Sequence, residues 1–94
     1  MSNKIKSFKL KNISPSKAKK FLERHNFELA NNYGSHFVYY KKINGKEYMP
    51  QVINNNKQIY WPNVETMIEK SGIPKEEWIK EFCPKDYKRL KRFI

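Results

Sequence analysis

The chain predicts a small α+β fold: one three-stranded antiparallel sheet packed on helices, ordered helix, strand, strand, strand, helix and a further helix. Three observations carry this. The 94 residues, 38% hydrophobic and 15% aromatic, suffice for one buried core and leave no room for a cofactor domain beside it. Asn44-Gly45 lies between two strand-like runs and is a strong hairpin signal, because both central residues of a type I′ turn need positive φ. Pro15, Pro62 and Pro74 each open a stretch whose apolar residues recur three or four apart, the spacing of one helical face.

The elements follow in order. Residues 1–13 are basic and weakly alternating through Ile5, Phe8, Leu10 and Ile13, as in an arm or an edge strand. Ser14-Pro15 is a helix start, the serine capping and the proline filling the first turn, where its missing N–H costs nothing. Ala18, Phe21, Leu22 and His25 share the apolar face of that helix, and Asn26 ends it. Phe27-Glu28-Leu29 opens a short strand, and Asn31-Asn32-Tyr33-Gly34 is turn chemistry. A long strand runs from His36 to Ile43, and Lys46 to Ile53 returns after the Asn-Gly turn. A two-residue loop sets Lys42 against Glu47, Tyr40 against Met49 and His36 against Ile53. Both hairpin faces carry apolar residues, so patterning leaves open which one meets the helices. Pro50 has no N–H for the ladder and is expected to point outward at an edge or bulge.

Asn54-Asn55-Asn56-Lys57 is a loop, and Pro62 opens a second helix that stops at Gly72. Pro74 opens a third, with Trp78 and Phe82 four apart, broken at Cys83-Pro84. The expected organisation is a basic N-terminal arm over 1–13, an α+β domain over 14–83, and a basic tail or short helix over 84–94.

Charge points to the partner. Twenty Lys and Arg against nine Asp and Glu leave +11, which favours nucleic acid or another polyanion. Biased base composition would raise Lys, Asn and Ile together, but it does not account for the shortage of acids. Seventeen lysines against three arginines suit non-specific phosphate contact better than bidentate base reading. The single Cys83 excludes an internal disulfide and a cysteine metal cluster, and fits a reducing cytoplasm. No apolar run approaches the ~20 residues of a membrane span, and the first residues lack the apolar segment of a signal peptide. The expectation is a cytoplasmic monomer with no membrane partner, cofactor or metal.

Chemistry narrows to one residue. There is no Gly-rich phosphate loop and no paired carboxylates; Glu65 and Glu69, or Glu76, Glu77 and Glu81, fit solvated helix faces. His25 sits on an apolar stripe at a helix end, where packing accounts for it. His36 stands at the mouth of a rigid strand behind Gly34 and Ser35, which let a phosphate come close and offer a hydroxyl. Cleaving RNA without a metal needs a base for the 2′-hydroxyl, an acid for the leaving oxygen and cations for the phosphorane; imidazole serves either proton role. Lys41, Lys42 and Lys46 are the cations expected beside it, with Tyr39 and Tyr48 supporting the RNA. Tyr33, Tyr40 and Tyr60 are further candidates for stacking on unpaired bases, against the alternative that strand aromatics are simply core.

The order of these parts, with Gly34-Ser35-His36 opening the long strand, Met49-Pro50 in the returning one and a closing helix that ends in Ser71-Gly72-Ile73, resembles the HicA-type toxin family over roughly Ser14 to Ile73. Members resemble a double-stranded-RNA-binding domain in fold. The resemblance implies a metal-independent endoribonuclease, a toxin that cleaves messenger RNA and is silenced by an antitoxin of HicB type covering its active face. The family's catalytic histidine falls on His36 and its glycine on Gly34. Two other readings stand beside it: a non-catalytic RNA-binding module of the same fold, and an adaptor whose charge matches an acidic protein.

Overall fold

A computed structural model describes residues 4–93; Met1–Asn3 of the expected arm and Ile94 of the expected tail lie outside the described residues. The chain runs α1 (Lys4–Ser7), α2 (Pro15–Arg24), β1 (Glu28–Tyr33), β2 (His36–Ile43), β3 (Lys46–Tyr48), β4 (Gln51–Ile53), α3 (Trp61–Ser71), α4 (Lys75–Phe82), α5 (Pro84–Leu90) and a 3-10 turn (Lys91–Phe93). It is a small α+β fold with an antiparallel sheet.

Helix α2 starts as its sequence dictates: the Ser14 hydroxyl accepts from the Lys17 amide at 3.3 Å and Pro15 fills the first turn. Its stripe of Ala18, Phe21 and Leu22 is buried. Asn26, at φ 69°, reverses the chain into β1.

The sheet is organised by β2. On one side β1 pairs with it along its full length, from Tyr33↔His36 to Glu28↔Tyr40, with a bulge between Leu29 and Asn31. The expected turn at Asn31–Gly34 is thus corrected: strand pairing overrides the turn preference of the asparagines, and the turn narrows to Gly34-Ser35. On the other side Asn44 and Gly45 have φ of 51° and 83°, and the pairs Lys42↔Glu47 and His36↔Ile53 form as the loop length required. The register is the same before and after Met49-Pro50, so β3 and β4 are one returning strand interrupted where proline lacks an N–H. Pro50 corrects its expectation: its ring is fully buried, and only its carbonyl joins the ladder, accepting from the Tyr39 amide at 2.9 Å.

Alternation along the paired strands defines two faces. Tyr39, Pro50 and Val52 face the helices; Tyr39 and Val52 join Leu22, Val64, Met67, Trp78 and Ile79 in one core. His36, Val38, Gln51 and Ile53 lie on the opposite face, open at Gln51, with His36 and Ile53 half-buried and Val38 buried.

The terminal segments belong to this core. The described part of residues 1–13 is neither a free arm nor an edge strand: it contains α1, buries Leu10 and Ile13 completely, and receives a bond from the Ile59 amide to the Ile13 carbonyl at 2.8 Å. The Lys75 ammonium ties the same segment down by donating to the Lys6 carbonyl at 2.8 Å. At the other end α5 buries Leu90 against the core. A chain this small recruits apolar residues from its termini because one sheet and two helices enclose too little surface.

Candidate functional site

The turn between β1 and β2 places His36. Gly34 takes φ +60° at the first central position, the requirement of a type II′ hairpin turn, and no side chain or backbone crowds it. The following Ser35 carbonyl accepts from the Asn54 amide at 2.8 Å, tying the end of β4 to the turn.

His36 is therefore held from both neighbouring strands. Tyr33, directly opposite on β1, stacks on the imidazole with ring centroids 5.2 Å apart and planes 6° from parallel. Gln51, diagonal on β4, accepts a hydrogen bond through Oε1 from the His36 Nδ1–H at 2.9 Å. In the neutral ring that bond leaves the lone pair on Nε2, and Nε2 has no hydrogen-bond partner among the described residues. The ring is half-buried, oriented, and open at one nitrogen.

Gln51 also forms a wall of a cleft of about 220 Å³ between β4 and α3, lined by Met49, Gln51, Ile53, Asn63, Thr66 and Lys70, with Met67 at its back. Lys70 supplies a cation there, and Asn63 an amide. The Thr66 hydroxyl is already donated to the Pro62 carbonyl at 3.2 Å. The cleft offers an anion an ammonium and an amide, and the lone pair at Nε2 of the adjoining His36 offers an acceptor to a hydroxyl.

The residues expected from sequence are distributed unevenly around this point. Gly34 and Ser35 adjoin His36. Tyr39 is a correction: it is 2% exposed on the helix face, its hydroxyl donating to Glu23 at 3.5 Å, so no base reaches its ring. Burial first and Glu23 second push its phenol above the ordinary tyrosine range. Lys41 also points to the helices, donating to the His25 carbonyl at 2.7 Å. Lys42 is exposed on the open face, but six residues along β2 put it roughly 20 Å from His36 at ~3.3 Å per residue. Lys46 is exposed by the hairpin turn, its ammonium 5.3 Å from the Tyr48 ring. Tyr48 is half-buried and packs against Gly72. Tyr40 donates to Glu47 at 2.9 Å, a bond that raises its phenol above the usual range. The lysines thus gather at the far end of β2 and leave His36 without them.

Gln51 and Lys70 were not singled out from the sequence. The hairpin register already placed Gln51 two residues from the partner of His36 on the same face, so its role was legible in the pairing. Nothing local marks Lys70, which arrives through the packing of α3 beside β4. Among the described residues, no three of His, Cys, Asp and Glu converge as metal ligands, and no helix is long and apolar enough to cross a membrane. Comparison with protein families, curated proteins and solved structures finds no match to this chain.

Proposed function

We propose that this chain is a metal-independent endoribonuclease that cleaves messenger RNA with His36 as the proton-transfer residue. It would act in the cytoplasm as a monomeric toxin of a toxin–antitoxin pair. Its fold would be of the double-stranded-RNA-binding-domain type found in HicA-type toxins. The observation that carries the reading is the fixed imidazole, stacked on Tyr33, hydrogen-bonded by Gln51 through Nδ1 and without a partner at Nε2.

The chemistry follows from that arrangement. Nε2 takes the proton of a ribose 2′-hydroxyl, and the freed oxygen attacks the adjacent phosphorus. The P–O5′ bond breaks as O5′ takes a proton from solvent water, leaving a 2′,3′-cyclic phosphate and a 5′-hydroxyl, and Nε2 returns its proton to solvent. Lys70, which shares a cleft with the Gln51 that holds His36, would supply the cation for the charge on the phosphorane oxygens. An antitoxin of HicB type would silence the enzyme by covering this open face.

Incubation of the protein and its His36→Ala variant with a long RNA in EDTA tests the proposal. Fragments ending in cyclic phosphate from the parent alone are expected. A non-catalytic RNA-binding module is the second reading, favoured by the distance between His36 and Lys42. Salt-dependent binding by both proteins, with cleavage by neither, would establish that reading and remove the nuclease.

A further inference from the structure

Three shallow grooves meet at Asn12, and they share no lining residue with the cleft between β4 and α3. Asn12 has φ 63° and turns the N-terminal segment between the buried Leu10 and Ile13, leaving Lys11 at the surface. One groove, about 370 Å³, runs along Lys17, Lys20 and Arg24 to the Phe82 ring. A second, about 280 Å³, lies between Lys11 and the pair Tyr60 and Trp61. The third, about 380 Å³, passes Lys85 and Asp86. All of these residues come from the N-terminal segment, the helices and the approach to α3, none from the sheet.

The track is positive and ends in partly exposed aromatic surface. Its two carboxylates are neutralised locally, Glu81 by Arg24 at 2.7 Å and Asp86 by Arg89 at 2.8 Å. Lys11, Lys17, Lys20 and Lys85 make no ion pair among the described residues. At the end of the track Trp61 is 43% and Tyr60 64% exposed, and the Lys9 ammonium lies 4.4 Å from the centre of a Trp61 ring. A large exposed indole beside an ammonium offers a nucleotide a surface for its base and a cation for its phosphate.

We infer that this track binds single-stranded RNA, stacking an unpaired base on Trp61 while the backbone follows Lys9, Lys11, Lys17 and Lys20. The inference rests on the reading of the chain as RNA-directed and adds the substrate class, because a paired base offers no free face to the indole. It also places the RNA on a surface separate from the cleavage site, so one strand would engage the protein at two places.

The two tryptophans make the test direct, since Trp78 is fully buried and Trp61 alone of the pair faces solvent. The 94-residue protein is titrated with a short 2′-O-methyl oligouridine, which cannot be cleaved, while tryptophan emission is followed. Saturable quenching is expected, with log affinity falling against log salt at a slope of about 3 if four lysines each meet a phosphate at ~0.7 per contact. Trp61→Leu should remove the quench and weaken binding about tenfold by anisotropy of a labelled oligomer. Trp61→Phe should keep the affinity within about twofold while losing the signal, because a phenyl ring still stacks. A paired variant, Lys11→Gln with Lys20→Gln, should lower the salt slope by about 1 and serves if Trp61→Leu does not fold. Quenching that survives Trp61→Leu, equal affinity for a duplex of the same length, or equal affinity for oligoglutamate would each overturn the inference; the last would make the track a dock for an acidic protein. Quenching by a protein that cleaves nothing would keep the track and remove the nuclease. Cleavage by a protein whose Trp61 emission ignores RNA would do the reverse.

Discussion

Gly72→Ala should cost this fold more than any loss of contacts implies, and through Tyr48. Gly72 ends α3 in the left-handed conformation, φ 71°, its N–H reaching back to the Glu69 carbonyl at 3.4 Å. A side chain in that conformation costs roughly 1–2 kcal/mol from the crowding of Cβ against the backbone. A Cβ at this position would also overlap the edge of the half-buried Tyr48 ring. Forcing that ring aside adds about 1–3 kcal/mol, the usual range for overpacking. The sum, about 2–5 kcal/mol, is a large part of the ~5–14 kcal/mol expected for a domain of 94 residues. Urea denaturation of four proteins measures it: parent, Gly72→Ala, Tyr48→Ala and the double variant. In the Tyr48→Ala background the glycine substitution should cost only the ~1–2 kcal/mol of backbone strain, leaving a coupling of about 1–3 kcal/mol. Equal costs in both backgrounds would refute the steric argument, and a cost well below ~1 kcal/mol in the parent would refute the backbone argument as well. Coupling of the expected size would also identify Tyr48 as a packing residue of the α3 terminus.

Other consequences are as direct. Leu10→Ala should destabilise the fold by about 2–5 kcal/mol, since the side chain is fully buried; a loss below ~1 kcal/mol would show that the N-terminal segment adds nothing to the core. Tyr39→Phe should flatten the decline of stability at high pH. Burial and Glu23 hold the folded phenol above its ordinary value of about 10, so its contribution is complete below pH ~10 and is lost as pH rises through the folded value. Identical slopes above pH ~10 for parent and variant would count against this. Gln51→Leu should slow cleavage about tenfold or more and change its pH profile while leaving RNA affinity in place, because it removes the acceptor that orients His36. An unchanged rate and profile would show that the bond does no positioning.

Local chemistry made much of the architecture legible beforehand. Ser14-Pro15 and Gly72 mark helix ends because capping and left-handed φ depend on a residue and its immediate neighbours. Asn44-Gly45 likewise specified both the turn and the register, and with them the pairs from Lys42↔Glu47 to His36↔Ile53. Asn31–Tyr33 went the other way: their turn preference is weak beside the ladder bonds β2 offers, so a strand formed where sequence indicated a turn. The same limit applies to the site. Sequence singled out His36 as an imidazole at a strand mouth, and the register put Gln51 within its reach.

Which hairpin face meets the helices was decided only by tertiary packing, because apolar residues on both faces satisfy the strand pattern equally. That choice buried Tyr39 and Pro50, turned Lys41 toward the His25 carbonyl, and left His36 on the open side. It also brought α3 beside β4, adding Lys70 to the cleft from a position nineteen residues beyond Gln51 in sequence. The termini were settled in the same way. Leu10, Ile13 and Leu90 look like scattered apolar residues in basic tails until the core needs their surface. Sequence therefore determined the start of α2, the end of α3 and the hairpin turn with its register, all set by local backbone and turn chemistry. The tertiary structure decided which residues share a face, because burial is a property of the whole chain.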